Sequence, residues 1–302
     1  MNIEEIETFL AVVEYGNVLR AAEHIYIGHG TASTRIMNLE RKLGVILLER
    51  QKGVRKTVLT SEGESFLPIA QQWAALWSDA QKLKERQTYK ELRISASDLI
   101  SSFVFEDVYR KFIKKHSTIF LTLQTEHATE IHQQIETQKM DLGFVFVLHD
   151  YPNVISFPLY EEDMVLVFHK DSRFSETKEK EFLKAEHEVY AFWSEAFNLW
   201  HNYYFPYAGR KKVIVGTAAM IYNFLEEKED WTILPLSIAQ NFIKKNNQLD
   251  YQFISSPPPK RTAYVLAHKF PKPGTKKNAK LFLDEVRTYI RESTGLTLLD
   301  NK

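Results

Sequence analysis

The strongest constraint on this chain is a change of hydrophobic period near residue 90. Before it, apolar residues recur at helical spacing. Ile3, Ile6, Phe9, Leu10 and Val13 form one run, Ile36, Leu39 and Leu43 another, and Phe66, Ile69, Trp73, Leu76, Trp77, Ala80 and Leu83 a third. After it, short apolar runs alternate with amphipathic stretches. A period near 3.6 residues aligns side chains on one helix face, whereas alternating strands and helices build an α/β sheet. One chain thus carries two architectures. Its 302 residues exceed one ordinary core and suit two or three units.

The helical part has clear punctuation. Residues 3–15 read as a helix that stops at Gly16-Asn17, and Val18–Ile25 as a second, with Ala21 and Ala22 small enough for a close neighbour. Tyr26–Gly30 is a turn with two glycines around His29, and Thr31–Leu43 is a third helix ended by Gly44 as C-cap. Two extended pieces follow, Ile46–Arg50 and Thr57–Thr60, joined by the basic turn Gln51-Lys52-Gly53-Val54-Arg55-Lys56. A hairpin after a helix-turn-helix is a wing, and its basic tip suits phosphate contact. Thr60-Ser61-Glu62-Gly63 opens a long helix reaching roughly to Arg86. Its stripe, above all Phe66, Trp73, Leu76 and Trp77, needs a partner: this chain's own domains or the same helix of a second copy.

From Leu92 the reading is strand Leu92–Ala96, helix Ser102–Lys115, strand Ile119–Gln124, helix Glu130–Lys139 and a nearly continuous apolar strand Asp141–Leu148. Further strands are expected at Met164–Phe168, Val189–Trp193, Lys212–Val215, Trp231–Leu234 and Ala263–His268. Helices are expected at Ala218–Glu227, Ser237–Lys245 and Asn278–Glu292. The alternation predicts a parallel sheet.

Several function classes are excluded or disfavoured. The absence of cysteine rules out disulfides, thiolate zinc sites, cysteine nucleophiles and thiol redox switches. There is no Gly-x-Ser-x-Gly elbow, P-loop or dinucleotide glycine motif, so no enzyme is expected and no cofactor. His127 and His132 lack a usual zinc spacing, so no metal is expected. The chain opens with Met1-Asn2-Ile3-Glu4-Glu5 instead of a basic and apolar leader, and its apolar runs are short, so a cytoplasmic place away from membranes is expected. Lys plus Arg and Asp plus Glu both number 39, so no overall basic excess points to nucleic acid. Locally, Arg35, Arg41, Lys42, Arg50, Lys52, Arg55 and Lys56 face only Glu40 and Glu49 across 35–56. Such a patch is either a phosphate grip or a solvated face.

Phe9, Gly16-Asn17, Ala21-Ala22, Ser33-Thr34-Arg35-Ile36, Leu39-Glu40, Leu43-Gly44, Leu47-Leu48-Glu49-Arg50 and Thr60-Ser61-Glu62-Gly63 stand at the spacing of one known pattern. Through them the sequence resembles the LysR-type transcriptional regulators. Asp141-Leu142-Gly143-Phe144, the run Pro158–Val167 and Leu234-Pro235 extend the resemblance over nearly the whole chain. It implies an N-terminal winged helix-turn-helix (1–60), a linker and dimerisation helix (61–89), and a periplasmic-binding-protein-like effector domain (90–302). That domain would have one subdomain from 90–161 and 264–302, and a second from 162–263. The implied partners are double-stranded DNA, a small-molecule effector, and further copies in a homodimer or homotetramer.

The family's Ser-Gln-Pro turn is Gly28-His29-Gly30 here. Glycine at an N-cap costs only a few tenths of a kcal/mol against serine, so the fold is expected to survive, but sequence preference does not carry over. The recognition helix would offer His29, Thr31, Ser33, Thr34 and Arg35 to the major groove, with Arg35 reading guanine, touching phosphate or forming a surface ion pair. Arg50, Lys52 and Arg55 would grip phosphates. The resemblance places the effector around Ser97, Asp98, His127, Thr129 and Thr217, where strand ends meet helix N-termini. Asp98 adds a negative charge, and Glu226-Glu227-Lys228-Glu229-Asp230-Trp231 replaces a glycine-rich stretch. The aromatics Phe192, Trp193, Phe197, Trp200, Tyr203, Tyr204 and Phe205 are either a pocket lining or a packed core.

Overall fold

The computed structural model describes residues 1–50, 57–81, 90–206, 209–272 and 274–299. Its N-terminal unit starts with α1 (Ile3–Tyr15), α2 (Val18–His24) and α3 (His29–Leu43). Local chemistry sets each boundary. The Asn2 side chain accepts the Glu5 N–H and the Glu5 carboxylate accepts the Asn2 N–H, each at 3.0 Å, a reciprocal cap. Asn17 caps α2 through the Leu19 N–H at 2.7 Å. Gly44, at φ 74°, ends α3 in the left-handed region. α3 begins at His29 rather than Thr31, because Gly28 already holds the extended N-cap conformation.

The wing is β1 (Leu48–Arg50) paired antiparallel with β2 (Thr57–Leu59). Its basic turn lies outside the described residues. Two contacts fix the hairpin on the helices. Glu40 of α3 accepts the Leu47 and Leu48 N–H groups on one carboxylate oxygen at 2.8 and 3.1 Å, and Thr57 N–H donates to Gly16 O at 2.8 Å. Thr60 caps α4 (Ser61–Gln81) by accepting the Gly63 N–H at 3.0 Å, and its hydroxyl donates to Ile46 O at 2.7 Å. Gly63 is required by close approach: a Cβ there would stand 2.1 Å from Leu47 O.

Ile6, Phe9, Val12, Ala21, Leu39, Leu47, Phe66 and Ala70 form the core of this unit. Phe66 therefore corrects the expectation for the long helix. It is 8% exposed, its ring 5.3 Å from that of Phe9, because the first turns of α4 lie against the domain that they leave. Trp73, Leu76 and Trp77 remain 36%, 48% and 42% exposed. The expected stretch of this helix beyond Gln81 lies outside the described residues.

The rest of the chain forms two α/β units. The first is built on a six-stranded sheet. β3 (Lys90–Ala96) runs parallel to β4 (Ile119–Thr125) and β5 (Leu142–Val145). β12 (Arg261–His268) is antiparallel to β5 and to β6 (Val154–Glu162), which also pairs antiparallel with β13 (Leu296–Leu298). The strand order is β13-β6-β12-β5-β3-β4. The sheet is thus mixed and not parallel, because β6 carries the chain out to the second unit and β12, its neighbour, brings it back. β12 starts at Arg261, inside the span expected to belong to the second unit. A π-helical turn (Ile100–Val104), α5 (Glu106–Lys115) and α11 (Thr275–Glu292) cover one face, and α6 (Ala128–Glu136) the other.

The second unit has β7 (Met164–His169) between β10 (Trp231–Pro235) and β11 (Leu249–Phe253), both antiparallel to it. Beside it, β8 (Val189–Ala191) pairs parallel with β9 (Val213–Val215). α7 (Arg173–Thr177), α8 (Glu195–Tyr204), α9 (Ala218–Phe224) and α10 (Leu236–Lys245) complete it. Phe197 and Phe205 are buried in its core, Trp193, Trp200 and Tyr204 pack partly against it, and Phe192 and Tyr203 are exposed. The aromatic cluster is thus mainly core. Asp230 orders the loop that stands where glycines were expected: one carboxylate oxygen accepts the Glu226 and Glu227 N–H groups and the Lys212 ammonium at 3.0, 2.7 and 2.6 Å.

Candidate DNA-binding face and effector cleft

α3 presents one open face. His29, Thr31 and Thr34 are exposed, Ser33 and Arg35 are half-buried, and Ala32, Ile36 and Leu39 are buried. The Gly28 N-cap makes no side-chain bond to the first turn, which leaves helix N–H groups available where the dipole is positive. The Thr34 hydroxyl donates back to Gly30 O at 2.8 Å. Arg35 turns toward α1 and pairs with Glu4 at 2.6 Å, so of its three readings the ion pair is the one the structure adopts. Lys42 pairs with Glu5 at 2.6 Å. Burial disfavours the Glu5 carboxylate, but the bonds from Lys42 and Asn2 outweigh that and hold its pKa below the usual range. Arg50 closes β1 opposite Thr57, while Lys52 and Arg55 lie outside the described residues. Tyr26, 95% exposed at positive φ in the turn before α3, escapes sequence reasoning. Its only sequence signal is a bulky residue between two helices.

The effector candidates lie at the ends of strands. Ser97 and Asp98 follow β3, and His127 caps α6 just after β4. Because β3 and β4 are parallel, the two segments share one sheet edge. Ser97 N–H donates to Phe144 O at 2.9 Å, while its hydroxyl oxygen is buried without a partner among the described residues. Asp98 accepts the Ser102 hydroxyl at 2.9 Å. His127 and Thr129 are exposed, and the Thr129 hydroxyl lies 3.4 Å from His149 Nε2. Thr217 is exposed and caps the short α9 through the Met220 N–H at 3.4 Å. Leu99 and Phe103, just beyond Asp98, pack against the second unit's core, so this segment sits where the two units meet. His132 is fully buried between Ala128 O and the His149 N–H at 2.7 and 3.2 Å, a packing role.

The hinge holds a group that sequence reasoning does not find. Arg261 opens β12 opposite Glu162, the last residue of β6. Its guanidinium stands 3.8 Å from the centroid of Phe146, just past β5, and 5.1 Å from that of Trp193, just past β8. Glu162 is 2% exposed and accepts the Ser237 hydroxyl of α10 at 2.7 Å. Burial raises its pKa, against the opposing pull of Arg261 and Ser237. No local signal marks this cluster, since its members come from two strands, the segments after two others, and one helix.

Comparison with known proteins agrees with this geometry. Residues 3–64 match the family described as bacterial regulatory helix-turn-helix protein, lysR family, and residues 85–291 match the LysR substrate binding domain. The HTH-type transcriptional regulator CitR of Bacillus subtilis (strain 168) is 24% identical over 277 residues, covering 88% of this chain and 94% of its own. The fold is shared with full-length CbnR complexed with its target DNA, at TM-score 0.62 and 20% identity over 96% of this chain and 100% of that one. It is shared also with full-length LysG of Corynebacterium glutamicum with bound effector Arg, at TM-score 0.65 and 16% identity over 95% and 98%.

Proposed function

As the chain belongs to the LysR family of bacterial transcriptional regulators, we propose that α3 and the wing grip double-stranded DNA under the control of a small molecule held between the two α/β units. The observation that carries this reading is the attachment of the wing to α3. Glu40 fixes the base of β1 to the helix, so one rigid piece offers both a groove-reading face and a phosphate-binding hairpin. In this reading His29, Thr31, Ser33 and Thr34 meet base edges, and Arg50, Lys52 and Arg55 meet phosphates. Ser97, Asp98, His127, Thr129 and Thr217 line the effector cleft. Trp73, Leu76 and Trp77 of α4 cover the same face of a second copy, giving a homodimer or a tetramer of two dimers.

The chain works beside DNA in the cytoplasm in this reading, without turnover, cofactor or metal. Among the described residues no helix is long and apolar enough to cross a membrane. The one cluster of metal-ligating groups found among them, His187, Glu227 and Asp230, has the Lys212 ammonium 2.6 Å from Asp230 and 3.9 Å from Glu227, which supports an internal ion-pair role.

The test is selection of a duplex from a random pool by the full chain, followed by anisotropy titration at several salt concentrations. Neutralising Lys52 or Arg55 should weaken binding alike on selected and unselected DNA and flatten the salt slope by about one unit per lost contact. Thr34→Ala should weaken only the selected duplex. Enrichment of no sequence, or an unchanged slope in both wing variants, overturns the assignment.

A further inference from the structure

The hinge arginine is an unusual thing for a protein to bury. The Arg261 guanidinium makes no hydrogen bond or contact ion pair among the described residues, and its Nη1 is shut off from solvent without a partner. Its neighbours in the chain are satisfied: Lys260 pairs with Asp163 at 3.3 Å and Thr262 donates to Glu161 at 3.3 Å. Tyr160, beside Glu162 on the same face of β6, also buries a hydroxyl with no partner. An unpaired guanidinium in a poorly solvated place costs stability, and two flanking rings return only part of that cost. Arg261 is half-buried as a residue, at the edge where the two units meet. Phe146 belongs to the first unit and Trp193 to the second, so whatever binds the fork touches the two bodies at once.

We propose that Arg261 is the anion receptor of the effector cleft and that the effector is a small organic monocarboxylate with a flat or apolar body. A planar fork matches a carboxylate bidentately, and the rings of Phe146 and Trp193 beside the guanidinium suit a ligand with a flat or apolar body. The charge is set by what else is near. Glu162 lies opposite Arg261 on β6, so a second negative charge on the ligand would be repelled. A cationic effector would have to face the guanidinium itself. Binding at a fork stacked on both units favours one relative orientation of them, which is what a regulatory ligand must do.

This inference rests on reading the cleft as the effector site, and the experiment separates the two. Phenylacetate, cinnamate and hexanoate, with their primary amides, are titrated into the full chain by calorimetry. At least one carboxylate should bind with a Kd below about 1 mM, and its amide at least about tenfold more weakly. Arg261→Gln should weaken the carboxylate by about 30-fold or more, the effect of removing one partner of a buried charged pair, whereas Lys260→Gln should change it less than about twofold. Arg261→Met should leave the melting temperature unchanged or raise it, since it replaces an unsatisfied charge with packing of similar volume. Carboxylate binding that survives Arg261→Gln overturns the receptor assignment and leaves the cleft reading standing. Failure of all three carboxylates overturns the ligand class, and a DNA-binding response to any other metabolite then still upholds the cleft. A fall of more than about 4 °C in Arg261→Met marks a structural arginine and also overturns it.

Discussion

Glu40→Ala should free the wing from the recognition helix. One carboxylate oxygen holds two backbone donors, Leu47 N–H at 2.8 Å and Leu48 N–H at 3.1 Å. Leu47 is fully buried, so no water replaces the lost acceptor there, whereas the half-buried Leu48 is better placed to recover one. A hydrogen bond to a charged group contributes about 1.5–3 kcal/mol, so the pair with partial recovery is worth about 2–4 kcal/mol of local stability. Glu40→Gln keeps an oxygen in place and loses only the charge assistance, about half of that. Native-state hydrogen exchange on the full chain reads this directly. The amides of residues 47 and 48 should exchange about 30- to 1,000-fold faster in Glu40→Ala, with α11 unchanged. DNA affinity should fall with them, because the hairpin no longer holds its angle to α3. Exchange at 47 and 48 that is unaltered in Glu40→Ala would refute the coupling.

Three further outcomes follow from other contacts. Gly63→Ala drives a methyl into Leu47 O and should cost about 1–3 kcal/mol, seen as a lower unfolding midpoint of the N-terminal unit in urea; a midpoint equal to wild type would mean that α4 does not sit this close. The Glu5 carboxyl has a folded pKa below its ordinary 4.5, so it stabilises the fold above the unfolded value and this contribution disappears as pH falls through the folded one; Glu5→Gln should flatten the acid side of the stability profile below about pH 4.5, and parallel profiles would sink the assignment. Trp73→Glu puts a charge into the proposed α4 seam at a cost of several kcal/mol, and light scattering should show monomers; an unchanged dimer would place the seam elsewhere.

What is legible in the sequence follows the range of the forces involved. Helix ends depend on neighbours within four residues, so Gly16, Gly44 and the Thr60–Gly63 turn mark the limits of α1, α3 and α4 in the sequence itself. Strand direction is not local. β6 and β12 pair across about a hundred residues, and alternation of strand and helix suggests parallel strands throughout where the crossing pair runs antiparallel. β11 (Leu249–Phe253) has no apolar run to announce it, since Asp250 and Gln252 alternate with its other residues, and in α8 the aromatics Phe197, Trp200, Tyr203 and Tyr204 mask the helical period. The Arg261 cluster is invisible for the same reason as the pair Arg35–Glu4: both join residues far apart in the chain.

Those long-range pairs also explain how a chain with equal numbers of acidic and basic residues can hold DNA. The basic run from Arg35 to Lys56 divides in two. Arg35 and Lys42 on α3 are matched by Glu4 and Glu5 of α1, and Arg41 donates to Asn38 at 2.8 Å. Because Glu4 is 58% exposed, its pair is worth under about 1 kcal/mol, but it turns the guanidinium away from the open face. Met37, Arg41 and Lys42 are exposed further along α3, while its first turns then offer outward the short and mostly uncharged His29, Thr31 and Thr34. Such side chains discriminate bases weakly through single hydrogen bonds and supply little long-range attraction. In the proposed reading the electrostatic grip then falls mainly to the wing and sequence preference to α3. Placing two acidic residues at the start of α1 favours this proposed division, since they match two of the three Lys and Arg side chains of α3.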